Sequence, residues 1–259
     1  MEGRRASPED LKRFNTALKR NPNDLETRAK ILGYYCGLGE HRALNTRIYS
    51  RHMHWFVENC PRHDALHTAT CMCYYEFSSE WFDDVAQSWI KQVDSNPLDV
   101  TILLHAVAFM SGRDPDKDFE YLTRAEALTP TDPEIAGLLM LHCESNGRHD
   151  EAIRYLLKAI NRWSTSEKRL AILDELFHNT ISDAVCNQIQ NNKSEDLRAL
   201  ANACMQHEEI ERSKYGATYV SDRSKVYNYS KFMGDAILGV VDLLDGKFQK
   251  PITLLEEHL

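Results

Sequence analysis

Apolar residues along this chain return every three to four positions, in short bursts separated by turn residues. In the stretch 133–163, Ile135, Leu138, Leu139 and His142 recur at helical spacing, as do Ile153, Leu156, Leu157 and Ile160. Pro133 suits the first turn of a helix, where a missing N–H costs nothing. Asn146-Gly147 reads as a stop, because glycine tolerates the left-handed backbone a helix end needs. Asp150 and Glu151 put negative charge at the positive end of the second helix dipole, and Lys158 and Arg162 lie near its other end. The pattern predicts two short amphipathic helices joined by a tight turn.

The same alternation runs through the first two thirds of the chain. A helix is expected over 9–22, with Ser7 as its N-cap and Pro8 at its first position. Helical pairs are expected at 25–61, where the second helix covers about 41–59 and carries Ile48, Trp55, Phe56 and Val57, and again at 64–97 and 100–130. Pro22, Pro61, Pro97 and Pro130 close these units, 39, 36 and 33 residues apart, and Ser164 comes 34 later. A helical pair cannot bury its apolar face alone, so repetition at this period predicts a stacked array.

Small residues sharpen this. Counting Pro133 as position 1, Leu139 stands at 7, Gly147 at 15, Ala152 at 20, Leu156 at 24 and Ala159 at 27. This spacing resembles the tetratricopeptide repeat, a helix-turn-helix of 34 residues. Ala136, Met140, Cys143 and Ser164 depart from the family's usual residues. The resemblance covers roughly 9–163 and 230–259, the latter through Leu238, Gly239, Gly246 and Phe248. It implies an all-α fold, a right-handed α-α superhelix of about six helical hairpins. The expected organisation is a flexible tail at 1–8, the array at 9–163, an irregular helical segment with a tyrosine-rich loop at 164–229, and a final hairpin at 230–259. That hairpin ends without a polar capping helix, so the expectation is a fragment of a longer array or a partnered end, with self-association through the last hairpin as one outcome.

Composition narrows the function classes. Eleven glycines and eight prolines in 259 residues disfavour an all-β fold with its many tight turns. A formal charge of −8 argues against nucleic acid as the main partner. No apolar run reaches membrane-spanning length, and the N-terminus lacks the apolar segment of a signal peptide. Seven cysteines without a disulfide framework fit a reducing compartment, so a cytoplasmic location is expected. Arg4-Arg5-Ala6-Ser7 resembles a basophilic kinase site, and reads more simply as a basic tail.

Two sets of residues are candidates for chemistry or binding. Cys60, His63, His67 and Cys71, with Cys73 and His54 nearby, include a helical i, i+4, i+8 run of potential zinc ligands. No CxxC pair accompanies them, and in the repeat register His67 and Cys71 are packing positions, so they are read as structural and no metal or other cofactor is expected. No nucleophile elbow, zinc-protease, P-loop or dinucleotide signature is present, and an enzyme is not expected. The resemblance itself implies a second set on the inner face of the first helices: Glu26, Ala29, Gly33, Cys36 and Gly37; Ala65, Thr68, Met72, Tyr75 and Glu76; Thr101, Leu104 and Ala108; Glu134, Gly137, Leu141 and Glu144. Where family members that grip chaperone C-termini carry Lys and Asn or Arg, this chain has Ala29, Gly33, Thr101 and His105, so that carboxylate clamp is absent. The expectation is a scaffold or adaptor holding a peptide or helix. The alternatives are an accessory subunit docking through its C-terminal end, or a metal or catalytic protein using the His/Cys cluster.

Overall fold

Ser7 starts the first helix as its sequence predicts. In the computed structural model its Oγ accepts the Asp10 N–H at 3.2 Å, and its own N–H donates to the Asp10 carboxylate at 2.8 Å. Those hydrogen bonds, with Arg13 pairing to the same carboxylate, hold Asp10 down to about 2. The structure describes residues 5–37, 46–66, 79–111, 113–163, 195, 197–202, 237–238, 241–242 and 245, and every regular element among them is a helix. The long elements are α1 (Pro8–Arg20), α2 (Leu25–Gly37), α3 (Thr46–Asn59), α4 (Ser79–Ser95), α5 (Val100–Met110), α6 (Pro115–Leu128), α7 (Pro133–Ser145) and α8 (His149–Trp163). The chain is all-α in these parts, and it divides into two compact units, residues 1–129 and 130–259.

In the first unit α1 packs on α2, α2 on α3, α3 on α4, α4 on α5 and α5 on α6. The prolines predicted to close each repeat sit in one recurring four-residue turn. It occurs at Asn21-Pro22-Asn23-Asp24, Cys60-Pro61-Arg62-His63 and Asn96-Pro97-Leu98-Asp99. In each, the N–H of the fourth residue donates to the carbonyl of the first, at 3.2, 3.0 and 3.1 Å. The fourth residue then caps the next helix. Asp24 accepts the Thr27 N–H and Asp99 the Ile102 N–H, both at 3.1 Å. A side chain from a following helix ties down each proline carbonyl: Arg28 at Pro22 (2.9 Å), His105 at Pro61 (2.9 Å) and Arg124 at Pro97 (3.2 Å). Asp132, which likewise stands two residues after a proline, caps α7 through the Glu134 N–H at 2.8 Å.

The core of this unit is mainly apolar, with Thr27, Ser50, His52, Ser88, His105 and Asp118 buried alongside it. Ile31, Leu32, Met53, Phe56, Val57, Val85, Trp89, Leu103 and Ala125 are all sealed from solvent. Ile48, which the sequence places on the same helix as Phe56, is 40 % exposed. It lies in the first turn of α3, and the helix is described only from residue 46, not from 41.

In the second unit, 133–163 forms the predicted helix-turn-helix. Gly147 takes φ 69°, the left-handed conformation expected of a helix stop. The Arg148 N–H reaches the Cys143 carbonyl at 2.8 Å and the Gly147 N–H the Glu144 carbonyl at 3.0 Å, which satisfies carbonyls that the helix end leaves open. Ala152 and Ala159 are buried, as are Ile135, Leu139, Ile153 and Leu156. Leu138 departs from the expected face and is 38 % exposed. Further along, Arg198 reaches Asp242 at 3.3 Å and also pairs with Asp245, which joins the helical stretch 197–202 to the 241–245 region.

Because Ala152 is only 1 % exposed where α7 and α8 pack, Ala152→Leu should cost ~1–3 kcal/mol by overpacking. Lys158→Ala, on the exposed side of α8, should stay within about 0.5 kcal/mol. Urea unfolding of both variants followed by far-ultraviolet circular dichroism measures the contrast. Two equally mild effects would mean that the helices do not cross at Ala152.

Candidate functional site

Helix α5 is a buried element with one accessible line. From 101 to 110, Ile102, Leu103, His105, Ala106, Val107, Phe109 and Met110 are buried, which leaves Thr101, Leu104 and Ala108. Thr101 is exposed, and Leu104 and Ala108 are half-buried. Their i, i+3, i+7 spacing puts them on one face of the helix. These are the three inner-face positions the repeat register names on α5.

The corresponding line on α7 is displaced. Glu134, Leu138, Leu141 and Ser145, at i, i+4, i+7 and i+11, form the exposed stripe. Leu141 is 40 % exposed, and it makes with Leu138 an apolar centre between a carboxylate and a hydroxyl. Gly137 was expected on this face and is buried, so Leu138 takes its place. Glu144 is half-buried and pairs with His149 at 3.2 Å, across the turn to α8. On α2, Glu26 is exposed and Ala29 half-buried, whereas Gly33 is buried. Gly33 and Gly137 therefore present no accessible surface. A glycine carries no side chain to hold a position open, so helix packing closes over it. Ala65 is likewise buried. Thr68, Met72, Tyr75 and Glu76 lie outside the described residues, and the burial of Cys36 and Gly37 is not described.

The histidine and cysteine candidates are occupied with local structure where they are described. His63 Nδ1 accepts the Ala65 N–H at 3.1 Å, and its ring packs on Phe56 with centroids 5.0 Å apart. His54 Nε2 lies 3.0 Å from Glu58 and 2.9 Å from Ser88 Oγ. Cys60 is half-buried and free. His67, Cys71 and Cys73 fall outside the described residues, and no group of three potential metal ligands occurs among those inside. Cys143 is buried, and burial pushes its thiol up to about 11, so it stays protonated and inert at neutral pH.

One cluster escaped the sequence reading. Arg28 on α2 lies 4.0 Å over the Trp55 ring, holds the Pro22 carbonyl, and places Nη1 3.3 Å from His52 Nδ1 on α3. His52 is buried, and burial first, then the charges of Arg28 and Arg51, push its imidazole down to about 4. A neutral ring there accepts from the guanidinium. Arg28, His52 and Trp55 share no sequence spacing that marks them, because two helices and a turn bring them together. The capping aspartates did leave a signal: Asp24, Asp99 and Asp132 each stand two residues after a proline.

No helix among the described residues is long and apolar enough to cross a membrane. Compared with protein-family models and with curated protein sequences, the chain finds no match.

Proposed function

We propose that the chain is a tetratricopeptide-like array, wound as a right-handed superhelix, and that it works as a non-enzymatic scaffold or adaptor. The first helices offer their accessible stripes to a peptide or a helix of a protein partner. The observation that carries this reading is the α5 stripe. Past its first residue, Val100, this helix is buried except at Thr101, Leu104 and Ala108, the positions at which the family binds its ligands. The recurring proline turns and the left-handed Gly147 between α7 and α8 support it as well. The accessible residues are small or apolar, with Glu26 and Glu134 at the edges, so an apolar segment carrying basic residues suits them better than an acidic tail.

Affinity capture with quantitative mass spectrometry tests the reading. Wild-type protein should recover a reproducible partner, and recovery should fall at least tenfold with Thr101→Arg or Leu141→Arg while Lys158→Ala retains it. Both arginine substitutions fall at exposed positions and leave the core intact. A partner held equally by all the variants, or no reproducible partner, counts against it.

A further inference from the structure

Positive charge gathers on one face of α2 and α3 without acid to balance it. The Arg28 guanidinium lies 4.0 Å over the Trp55 ring and sets Nη1 3.3 Å from His52 Nδ1. Trp55 stands four positions after Arg51 and three after His52, so it neighbours both on the helix surface. Arg51 is exposed and makes no ion pair or hydrogen bond among the described residues. The charges that act on His52 are those of Arg28 and Arg51, and no carboxylate acts on it. Two guanidinium groups thus flank one indole. We propose that this face of α2 and α3 binds a phosphorylated segment of a partner protein, with Arg28 and Arg51 on the phosphate and Trp55 as the floor of the site.

The donors are countable. A guanidinium has five N–H groups. Arg28 uses Nε and one N–H of Nη2 on the Pro22 carbonyl, and one N–H of Nη1 on His52. One N–H remains on each terminal nitrogen. Arg51 keeps all of its own. The nearby acids are engaged elsewhere: Glu26 holds Lys30 at 2.6 Å, Glu58 lies 3.0 Å from His54, and Asp24 accepts from Thr27. A phosphomonoester carries about −1.5 to −2 charges at neutral pH, which matches two guanidinium groups, whereas a carboxylate carries one. Guanidinium also suits phosphate in geometry, with paired N–H groups meeting paired oxygens. Burial disfavours the charge on Arg28, and an anion beside it would relieve that cost.

The chain as a whole decides between sources of phosphate. Its formal charge of −8 repels an extended polyanion such as a nucleic acid or an anionic lipid surface. A short segment feels only the charges within a screening length of about 8 Å, and here those are positive. Arg47 and Ile48, both exposed in the turn of α3 before Arg51, offer charge and apolar contact to the residues that flank the phosphate. None of these residues is an inner-face position of the repeat register, so the site does not depend on the stripes of the first helices.

Biolayer interferometry with the full chain in solution tests this. The immobilised probes are a peptide library degenerate on both sides of a fixed phosphoserine, matched libraries with serine or glutamate at that position, a single-stranded oligonucleotide, and phosphatidylserine vesicles. The phosphoserine library should bind at least tenfold more tightly than every other probe. Arg51→Ala should bring it to the level of the serine library, while Lys158→Ala retains it. In nuclear magnetic resonance spectra, N-acetyl-phosphoserine amide should shift the Trp55 indole N–H and leave that of the buried Trp89 in place. Equal binding of the glutamate library, oligonucleotide or vesicles, undiminished binding by Arg51→Ala, or an unmoved Trp55 resonance would overturn the proposal. Should Arg51→Ala fail to fold, the Trp55 resonance of the wild-type protein decides the matter by itself.

Discussion

Trp89→Ala should cost the first unit about 3–5 kcal/mol, the largest single-residue loss expected among the described residues. The ring is completely buried on α4 and meets His105 edge-on, with centroids 6.3 Å apart. His105 in turn holds the Pro61 carbonyl, so the cavity would open beside the turn that links α3 to the next helix. A domain's whole margin is roughly 5–15 kcal/mol, so the variant should be partly unfolded at moderate urea. Trp89→Phe should cost far less, since the lost Nε1 has no hydrogen-bond partner among the described residues. Leu98→Ala is the control. Leu98 is 76 % exposed, and its removal should stay within about 0.5 kcal/mol. Urea titration with circular dichroism separates the three. A Trp89→Ala variant as mild as Leu98→Ala would show that this core is not organised around the tryptophan.

The second large effect is a loss of stability in acid that belongs to His52. Its folded imidazole takes a proton only near pH 4, against about 6.5 in an unfolded chain. Above pH 6.5 both states are neutral and the stabilisation is complete. Between 6.5 and 4 the unfolded chain binds a proton that the folded one refuses, so stability falls as pH falls. Below 4 both states are protonated and the loss levels off. The total is on the order of 3 kcal/mol. His52→Gln keeps an acceptor for Arg28 and removes the titration, so its unfolding free energy should vary much less between pH 7 and 4. The carboxylates contribute in a lower window. Asp10 and Asp24 have depressed values, so their stabilisation is present above about pH 4 and lost below it. If wild type and His52→Gln lost stability in parallel from pH 6.5 to 4, the assignment to His52 would fail.

The two effects come from residues that differ in how readable they were. Trp89 fell on the apolar face of a helix with Val85 at i−4, and periodicity alone places such a pair inside. His52 carried no such mark. It sits one position before Met53 on a helix that also bears Arg51 and His54, and polarity would put it in solvent. It is buried because Arg28 arrives from α2 to share its ring nitrogen and cover Trp55.

The candidate site was legible to the same uneven degree. Thr101, Leu104 and Ala108 could be named only because the resemblance to the repeat family supplies a register; polarity would not have found them, since His105 is buried on the same helix while Leu104 is half-buried. Gly33 and Gly137 were named by the same register and turned out buried. Register supplies an angle around the helix axis and carries no information on how closely a neighbour approaches. Leu138 recurs at helical spacing with Ile135 and Leu139, yet it is 38 % exposed while they and Met140 are buried.

What the sequence determined by itself was local: the helices, the cap at Ser7, the stop at Gly147, and the period of the terminating prolines. Each depends on side chains and backbone within a few residues of one another, where covalent spacing settles the geometry. Only the tertiary structure decided that His63 and His105 share the second turn, that Arg28 clasps His52 and Pro22, and that Arg198 reaches Asp242 and Asp245. Those contacts join residues from separate elements, often dozens of positions apart, and they depend on how helices pack rather than on how far apart residues stand in the chain.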